Sequence, residues 1–323
     1  MENYEIIQTI GKGSFGQVSK VRRKTDGKLL VWKEIEYGDM NEREKQQLVA
    51  EVNILRELRH PNIVRYYDRL IDKINSKIYI VMEYCEGGDM SGVIKKCKRD
   101  RDFLPEEIIW KIFMQIALAL HECHKRKDGK ILHRDLKPAN IFLDSNMNVK
   151  LGDFGLSRMM GQESEFAKTH VGTPYYMSPE QITDSRYNEK SDIWSLGCLL
   201  YEFASLSPPF EALNAGALAV KIRSGKVEKL PSRYSEELQR VVNWMLSIDS
   251  NLRPSVEDLL NLPQVSLRIR EKKLRENQLA LKKKEEELKK KEAEINAIEE
   301  ENRLKMIELD ERESKLRELE LRY

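Results

Sequence analysis

His133-Arg134-Asp135-Leu136-Lys137-Pro138-Ala139-Asn140, followed by Asp153-Phe154-Gly155, is the stretch on which the reading of this chain turns. It sets two carboxylates, an amide and a lysine in the order H-R-D-L-x-x-x-N and then D-F-G, and chance agreement with that order is negligible. Its chemistry depends on what the rest of the chain places around it.

Working outward toward the N-terminus, Gly11-Lys12-Gly13-Ser14-Phe15-Gly16 is flanked by Ile10, Gln17 and Val18 and lies between two predicted strands. Its glycines let backbone amides approach an anionic phosphate without interference from a Cβ. Alone the motif is weak: opening a helix, it would read as a dinucleotide site, and elsewhere as an ordinary turn. The strand that follows favours a phosphate-covering hairpin. Lys33 closes Leu30-Val31-Trp32-Lys33 in the next strand, and Glu51 shares a helical stripe with Leu48, Leu55 and Leu58 on the following helix. That stripe selects Glu51 over Glu44 and Glu57 as the partner of Lys33.

Together these parts describe phosphoryl transfer, which needs little covalent help and much positioning. Asp135 is expected to accept the proton of a substrate hydroxyl, and Lys137 to stabilise the γ phosphate. Asn140 and Asp153 are expected to hold Mg2+, with Mn2+ as an alternative. Lys33, steadied by Glu51, is expected to grip the α and β phosphates of ATP.

Beyond these motifs, Val81-Met82-Glu83-Tyr84-Cys85-Glu86-Gly87-Gly88-Asp89 and Val171-Gly172-Thr173-Pro174-Tyr175-Tyr176-Met177-Ser178-Pro179-Glu180 give residues 4–263 a resemblance to the NIMA-related family of protein kinases. The resemblance implies an α+β, bilobal kinase fold with a small β-rich lobe and a large helical one. It implies Met82 as gatekeeper, and adenine held by the backbone of Glu83 and Cys85. It implies serine/threonine rather than tyrosine specificity, because Lys137 follows Asp135 by two positions and Thr173 stands where a threonine touches both. Ser178-Pro179-Glu180 replaces the commoner A-P-E and keeps Glu180, which the family pairs with Arg253. The presence of Lys33, Glu51, Asp135, Asn140 and Asp153 argues against a catalytically dead relative.

Regulation reads from the same region. Arg134 would face an anion supplied by activation-loop phosphorylation. By resemblance Thr169 is the favoured autophosphorylation site and Ser164 the second. Tyr66 aligns with a tyrosine that can swing into the site of related kinases and hold an inactive form, although a strand aromatic is the simpler reading.

The pattern around the motifs is coarse but consistent. Strands are expected near residues 5–10, 18–23, 29–35, 63–70 and 78–82, interrupted by a helix near 41–59. Helices follow near 106–124, 190–204, 214–224 and 235–246. At about Ser266 aromatic residues vanish until Tyr323, and Lys, Arg, Glu and Leu take over. Leu267, Leu274, Leu281, Leu288, Ile295, Asn302, Leu309, Leu316 and Tyr323 then recur every seventh residue, the period of a coiled coil. Residues 264–323 are therefore expected to form a leucine-zipper-like homodimer, with a single solvated helix as the alternative. The second seam is poor in either register: Glu271, Gln278, Glu285 and Glu292 in one, Arg270, Asn277, Lys284 and Lys291 in the other.

Composition excludes several classes. The 323 residues carry 56 basic and 54 acidic side chains, a net charge of +2, so nothing global points to nucleic acid or an anionic membrane. Four scattered cysteines and a polar N-terminus without an apolar core segment suggest a reducing interior, cytosolic or nuclear. His121-Glu122-Cys123-His124 ends a predicted helix without further ligands and reads as structural rather than metal-binding. Lysine clusters at 282–284 and 289–291 fit a solvated coil face better than nuclear import. The family resemblance implies protein substrates, mitotic signalling at the centrosome, and centrosomal proteins and phosphatase-1 as partners. A scaffold with a nucleotide-responsive kinase module is the competing class.

Overall fold

The computed structural model describes residues 2–13, 16–38, 40–126, 129–153, 174–183 and 187–320, and the side chains at 12, 13, 47, 50, 51, 54 and 318 lie outside that description. The chain divides into two compact units, Met1–Ser266 and Leu267–Tyr323.

The first unit opens with five antiparallel strands: β1 (Tyr4–Gly13), β2 (Gly16–Arg23), β3 (Leu29–Glu36), β4 (Tyr66–Asp72) and β5 (Lys77–Glu83), in the spatial order β1-β2-β3-β5-β4. Alternation along these strands buries Val21, Leu30, Trp32, Tyr79 and Val81 together, with Trp32 and Tyr79 rings 5.0 Å apart. Lys33 sits opposite Val18 on one side and Ile80 on the other, so the centre of the sheet carries it. Helix α1 (Glu42–Glu57) interrupts the strands, started by a capping box in which Asn41 and Glu44 exchange hydrogen bonds of 2.8 and 3.0 Å. Its stripe of Leu48, Val52 and Leu55 is buried, together with Leu58 at the cap, as the spacing predicts.

The larger part is helical. After α2 (Met90–Asp100) come α3 (Glu106–His124), the strands β6 (Ile141–Leu143) and β7 (Val149–Leu151), and the short α4 (Pro179–Ile182). Then follow α5 (Glu189–Ser205), α6 (Ala215–Ser224), α7 (Glu236–Met245) and α8 (Val256–Leu260). Helices α3 and α5 are buried on most of their surface and form the core, where Trp194 and Phe210 stack 5.6 Å apart. A small β-rich lobe followed by a large helical one is the α+β arrangement that the family resemblance implies.

Three local differences have physical reasons. The fourth strand begins at Tyr66 rather than Ile63, because Ile63 forms an isolated parallel bridge with Leu151 instead of joining the sheet. Strands β6 and β7 have three residues each, too short to show a period in sequence. Helix α2 was not expected as a separate element, since only Met90 and Ile94 are buried along its length.

Helix α9 (Pro263–Glu320) extends through the second unit. Within that unit its leucines are exposed, from 53% at Leu267 to 67% at Leu281, and its charges pair along the helix, as in Lys289–Glu285 at 3.0 Å and Lys305–Glu301 at 2.6 Å. No helix among the described residues is long and apolar enough to cross a membrane.

Candidate active site

The His133–Asn140 stretch is held from beneath by a residue that the motif reading missed. Asp192, near the start of α5 and fully buried, accepts the backbone N–H of His133 at 3.0 Å and of Arg134 at 3.0 Å. It also accepts His124 Nε2–H at 2.8 Å and the hydroxyl of Tyr187. Burial alone would raise this carboxyl, but the bonds from His124 and Tyr187 outweigh it and hold the group below the usual carboxylate range. The reward is backbone geometry: Arg134 stands at φ 69°, a left-handed conformation that a non-glycine residue keeps only when its surroundings impose it. No distinctive signal marked it in the sequence, since Asp192 stands with Glu189 in the first turn of α5, where acids are ordinary. The structural reading of His124 acquires a cause here, since its ring serves Asp192.

His133 transmits that order forward. Its Nε2 lies 2.9 Å from the Gly152 carbonyl, which can only accept, so Nε2 carries the proton and Nδ1 accepts from Asp135 N–H at 3.3 Å. Complete burial lowers its pKa and keeps the ring neutral. One imidazole thus joins the loop bearing Asp135 to the residue before Asp153.

At the surface of this frame, Lys137 Nζ lies 2.7 Å from Asp135 Oδ2, and Asn140 Nδ2 donates to the same oxygen at 2.9 Å and to the Asp135 carbonyl at 2.7 Å. Lys33 Nζ lies 2.9 Å from Asp153 Oδ1. Asp153 is itself at φ 56°, a second left-handed non-glycine residue in the site. The donor set suits Mg2+. The Asn140 amide nitrogen is committed to Asp135, which leaves its carbonyl oxygen as a hard donor, and Asp153 keeps a second carboxylate oxygen. Asn140 and Asp153 would hold the ion, and it would supply charge neutralisation at phosphate oxygens.

A cavity of about 380 Å³ adjoins these groups. Ile10, Val18, Val31, Val64, Met82 and Phe142 form apolar walls, Lys33 and Asp153 supply charge, and Glu83, Tyr84, Cys85 and Glu86 line the edge along the chain leaving β5. That suits a flat base with a charged tail. Gly11 also lines it, whereas Gln17 is engaged across its hairpin with Thr9 at 2.8 Å. Gly16 has a separate reason to be glycine: at φ 129° a Cβ would fall 1.8 Å from the Glu34 carbonyl oxygen. Val31, Val64, Phe142 and Gly152 were not expected as lining residues. Of these only Val31 carried a signal, two positions before Lys33 in an alternating strand. Burial first, and then the neighbouring Glu83 carboxylate, push the Cys85 thiol up to about 12.

Glu180 and Arg253 form a bidentate pair of 2.7 and 2.8 Å. The guanidinium completes its hydrogen bonding with the carbonyls of Ser247, Lys190 and Ile248, and lies 4.9 Å from the Trp194 ring. Burial would raise Glu180, but Arg253 and then Ser191 hold it below its ordinary value. Arg134 lies 5.8 Å from the ring of Tyr187. Tyr66 is buried on β4. Of the two glutamates set aside in favour of Glu51, Glu44 serves the α1 cap and Glu57 lies 2.9 Å from Arg126. Ser14, Phe15, Phe154, Gly155, Ser164, Thr169, Thr173 and Tyr323 lie outside the described residues, as do the side chains of Lys12 and Glu51.

Comparison with known proteins shows the family. The protein kinase domain family matches residues 4–265. The serine/threonine-protein kinase Nek2 of Homo sapiens is 58% identical over 276 residues, covering 85% of this chain and 62% of that protein. A probable serine/threonine-protein kinase nek2 of Dictyostelium discoideum is 57% identical over 274 residues, covering 85% of this chain and 65% of that protein. The G2-specific protein kinase nimA of Emericella nidulans is 46% identical over 297 residues, covering 84% and 42%. The chain therefore spans less than two thirds of each of these relatives. It belongs to the protein kinase family, on the NIMA-related branch.

Proposed function

We propose that the protein is an active serine/threonine kinase that transfers the γ phosphate of ATP to protein hydroxyls. The observation that carries this is the joint placement of Asp135 with Lys137 and Asn140, and of Lys33 with Asp153, around one frame of backbone. Asp135 takes the substrate hydroxyl proton as the new O–P bond forms and the bond to the ADP oxygen breaks. Lys137 balances charge on the transferred group, and Lys33 positions the α and β phosphates, with Glu51 as its expected partner. Asn140 and Asp153 hold Mg2+ or Mn2+. Turnover of ATP on a generic serine/threonine substrate tests the reading. Lys33→Met and Asp153→Ala should each lower kcat by about 10³-fold or more. Activity surviving both substitutions defeats the assignment of these residues, and absence of turnover in the parent favours a scaffold.

The exposed heptad leucines support a second element of the reading: residues 264–323 pair with a second copy as a coiled coil. With charged residues at most positions of the second seam the pair is weak, and while paired the tail raises the effective concentration of one activation loop for its neighbour. Thr169, with Ser164 second, then accepts phosphate in trans, and Arg134 meets the new anion. Monomers by light scattering at micromolar concentration would count against this. The name of the Emericella nidulans relative, a G2-specific kinase, supports a cell-cycle role; the family resemblance alone supports a mitotic one in the cytoplasm and at the centrosome, with centrosomal proteins and phosphatase-1 as partners.

A further inference from the structure

The side chain of Glu83 is engaged in a joint separate from the hinge backbone. Its Oε1 lies 2.8 Å from the ammonium of Lys150 on β7, and its Oε2 accepts the Arg65 N–H at 3.1 Å. The main chain closes the same joint, because Glu83 N–H donates to the Arg65 carbonyl at 2.8 Å. Arg65 in turn donates from its guanidinium to the Leu58 carbonyl, at the end of α1, at 3.0 Å. The Glu83 carboxylate thus ties the hinge to β7 and to the segment leading into β4, and Arg65 extends that joint to the end of α1.

The Glu83 and Lys150 side chains are only 23% and 15% exposed, so water and salt screen them far less than a surface pair. Lys150 also stands three positions before Asp153, on a strand whose neighbour Gly152 lines the cavity. A lysine fixed to the hinge at one end of the cavity therefore fixes the approach to the charged end as well.

We infer that Lys150 is a positioning residue for the nucleotide, holding Glu83 so that the hinge backbone presents its hydrogen-bonding groups to the base at a set distance from Asp153. The inference rests on reading the cavity as an adenine-nucleotide site. Rotating the hinge peptide breaks the Lys150 pair and both Arg65 bonds together, so the joint preorganises the hinge and removes an ordering cost from binding. The lysine does not touch the transferred group, so its effect falls on binding rather than on the chemical step.

The test uses the whole chain and a fluorescent ADP analogue, with steady-state turnover measured in parallel. Lys150→Met should weaken analogue binding and raise KM for ATP about fivefold to tenfold, with kcat within about twofold of the parent. Lys150→Arg, which keeps charge and reach, should restore binding to within about twofold. Glu83→Gln combined with Lys150→Met should be no weaker than Lys150→Met alone, since the shared interaction is already gone. Thermal unfolding without nucleotide identifies a variant that has merely lost its fold, and the arginine variant then decides the matter. Unchanged binding in Lys150→Met overturns the inference, as does an arginine variant as weak as the methionine one. A parent protein that binds the analogue without turnover would instead overturn the proposed activity and leave the positioning result standing.

Discussion

Charge is buried in one region of this chain, and leucine is exposed in the other. In residues 1–266 the Arg253 side chain is 0% exposed, yet its N–H groups meet Glu180 and three carbonyls. In residues 267–320 a regular row of leucines faces solvent while Glu and Lys pair along the helix at four-residue spacing. The first unit meets the cost of burying these charges internally, because Arg253 and Glu180 satisfy each other within the fold. The second has apolar surface with no internal partner, and pairs worth only about 0.3–0.5 kcal/mol each. One change inside the first unit should therefore be expensive, whereas the second should respond mainly to what meets it.

The sharpest way to break this contrast is Arg253→Met. It strands the Glu180 carboxylate and three carbonyls at once, and removing one partner of a buried pair costs about 3–5 kcal/mol. Urea unfolding should show the loss, and a cost below about 1 kcal/mol would mean that the pair is ornamental. Asp192→Asn follows. The side chain keeps its shape, but its amide faces a donor, so stability should fall by about 2 kcal/mol. Because the backbone of His133 and Arg134 loses its anchor, kcat should fall about 10²-fold with little change in KM.

Acid should act on the same groups. Glu180 and Asp192 are both held below their ordinary values, so the unfolded chain binds protons that the folded chain refuses. Their contribution is complete above about pH 5 and is lost as pH falls through the depressed values. Glu202 runs the other way: burial raises it despite the 2.7 Å bond from Tyr176, so its contribution declines as pH rises through the raised value. Chemical unfolding between about pH 6 and pH 3 should steepen on the acid side. Glu180→Gln should flatten that limb, and an unchanged slope would refute the assignment.

How far the sequence was legible follows the same division. His133, Asp135, Asn140 and Asp153 could be singled out because they stand in a fixed order within two short motifs, and the fold brings those motifs together. The sheet and the long helices were legible through periods of two and 3.6 residues, which a buried face imposes. Asp192 was not, because an acid in the first turn of a helix is commonplace and carries no period, and its value lies in four donors drawn from three separate segments. Val64 and Phe142 were illegible for a similar reason, being placed in the cavity by the bridge of Ile63 to Leu151 and the pairing of Ile141 with Leu151. The heptad was the clearest pattern in the chain, yet a period shows which residues share a stripe and not what covers it.

The smallest effect on stability tests that last point. Leu281→Lys with Leu288→Lys places two charges in the row while leaving helix propensity almost unchanged, since leucine and lysine rank together. Unfolding of residues 1–266 should shift by less than about 0.5 kcal/mol, because both positions lie outside that unit and are already exposed. If a second copy covers the row, the same substitution should move the sedimentation coefficient from dimer toward monomer and slow activation at low enzyme concentration. Addition of saturating activated enzyme should then restore the activation rate, because the chemistry was never altered. A change in the unfolding midpoint without a change in sedimentation would reverse the contrast, showing that the leucines act within their own chain.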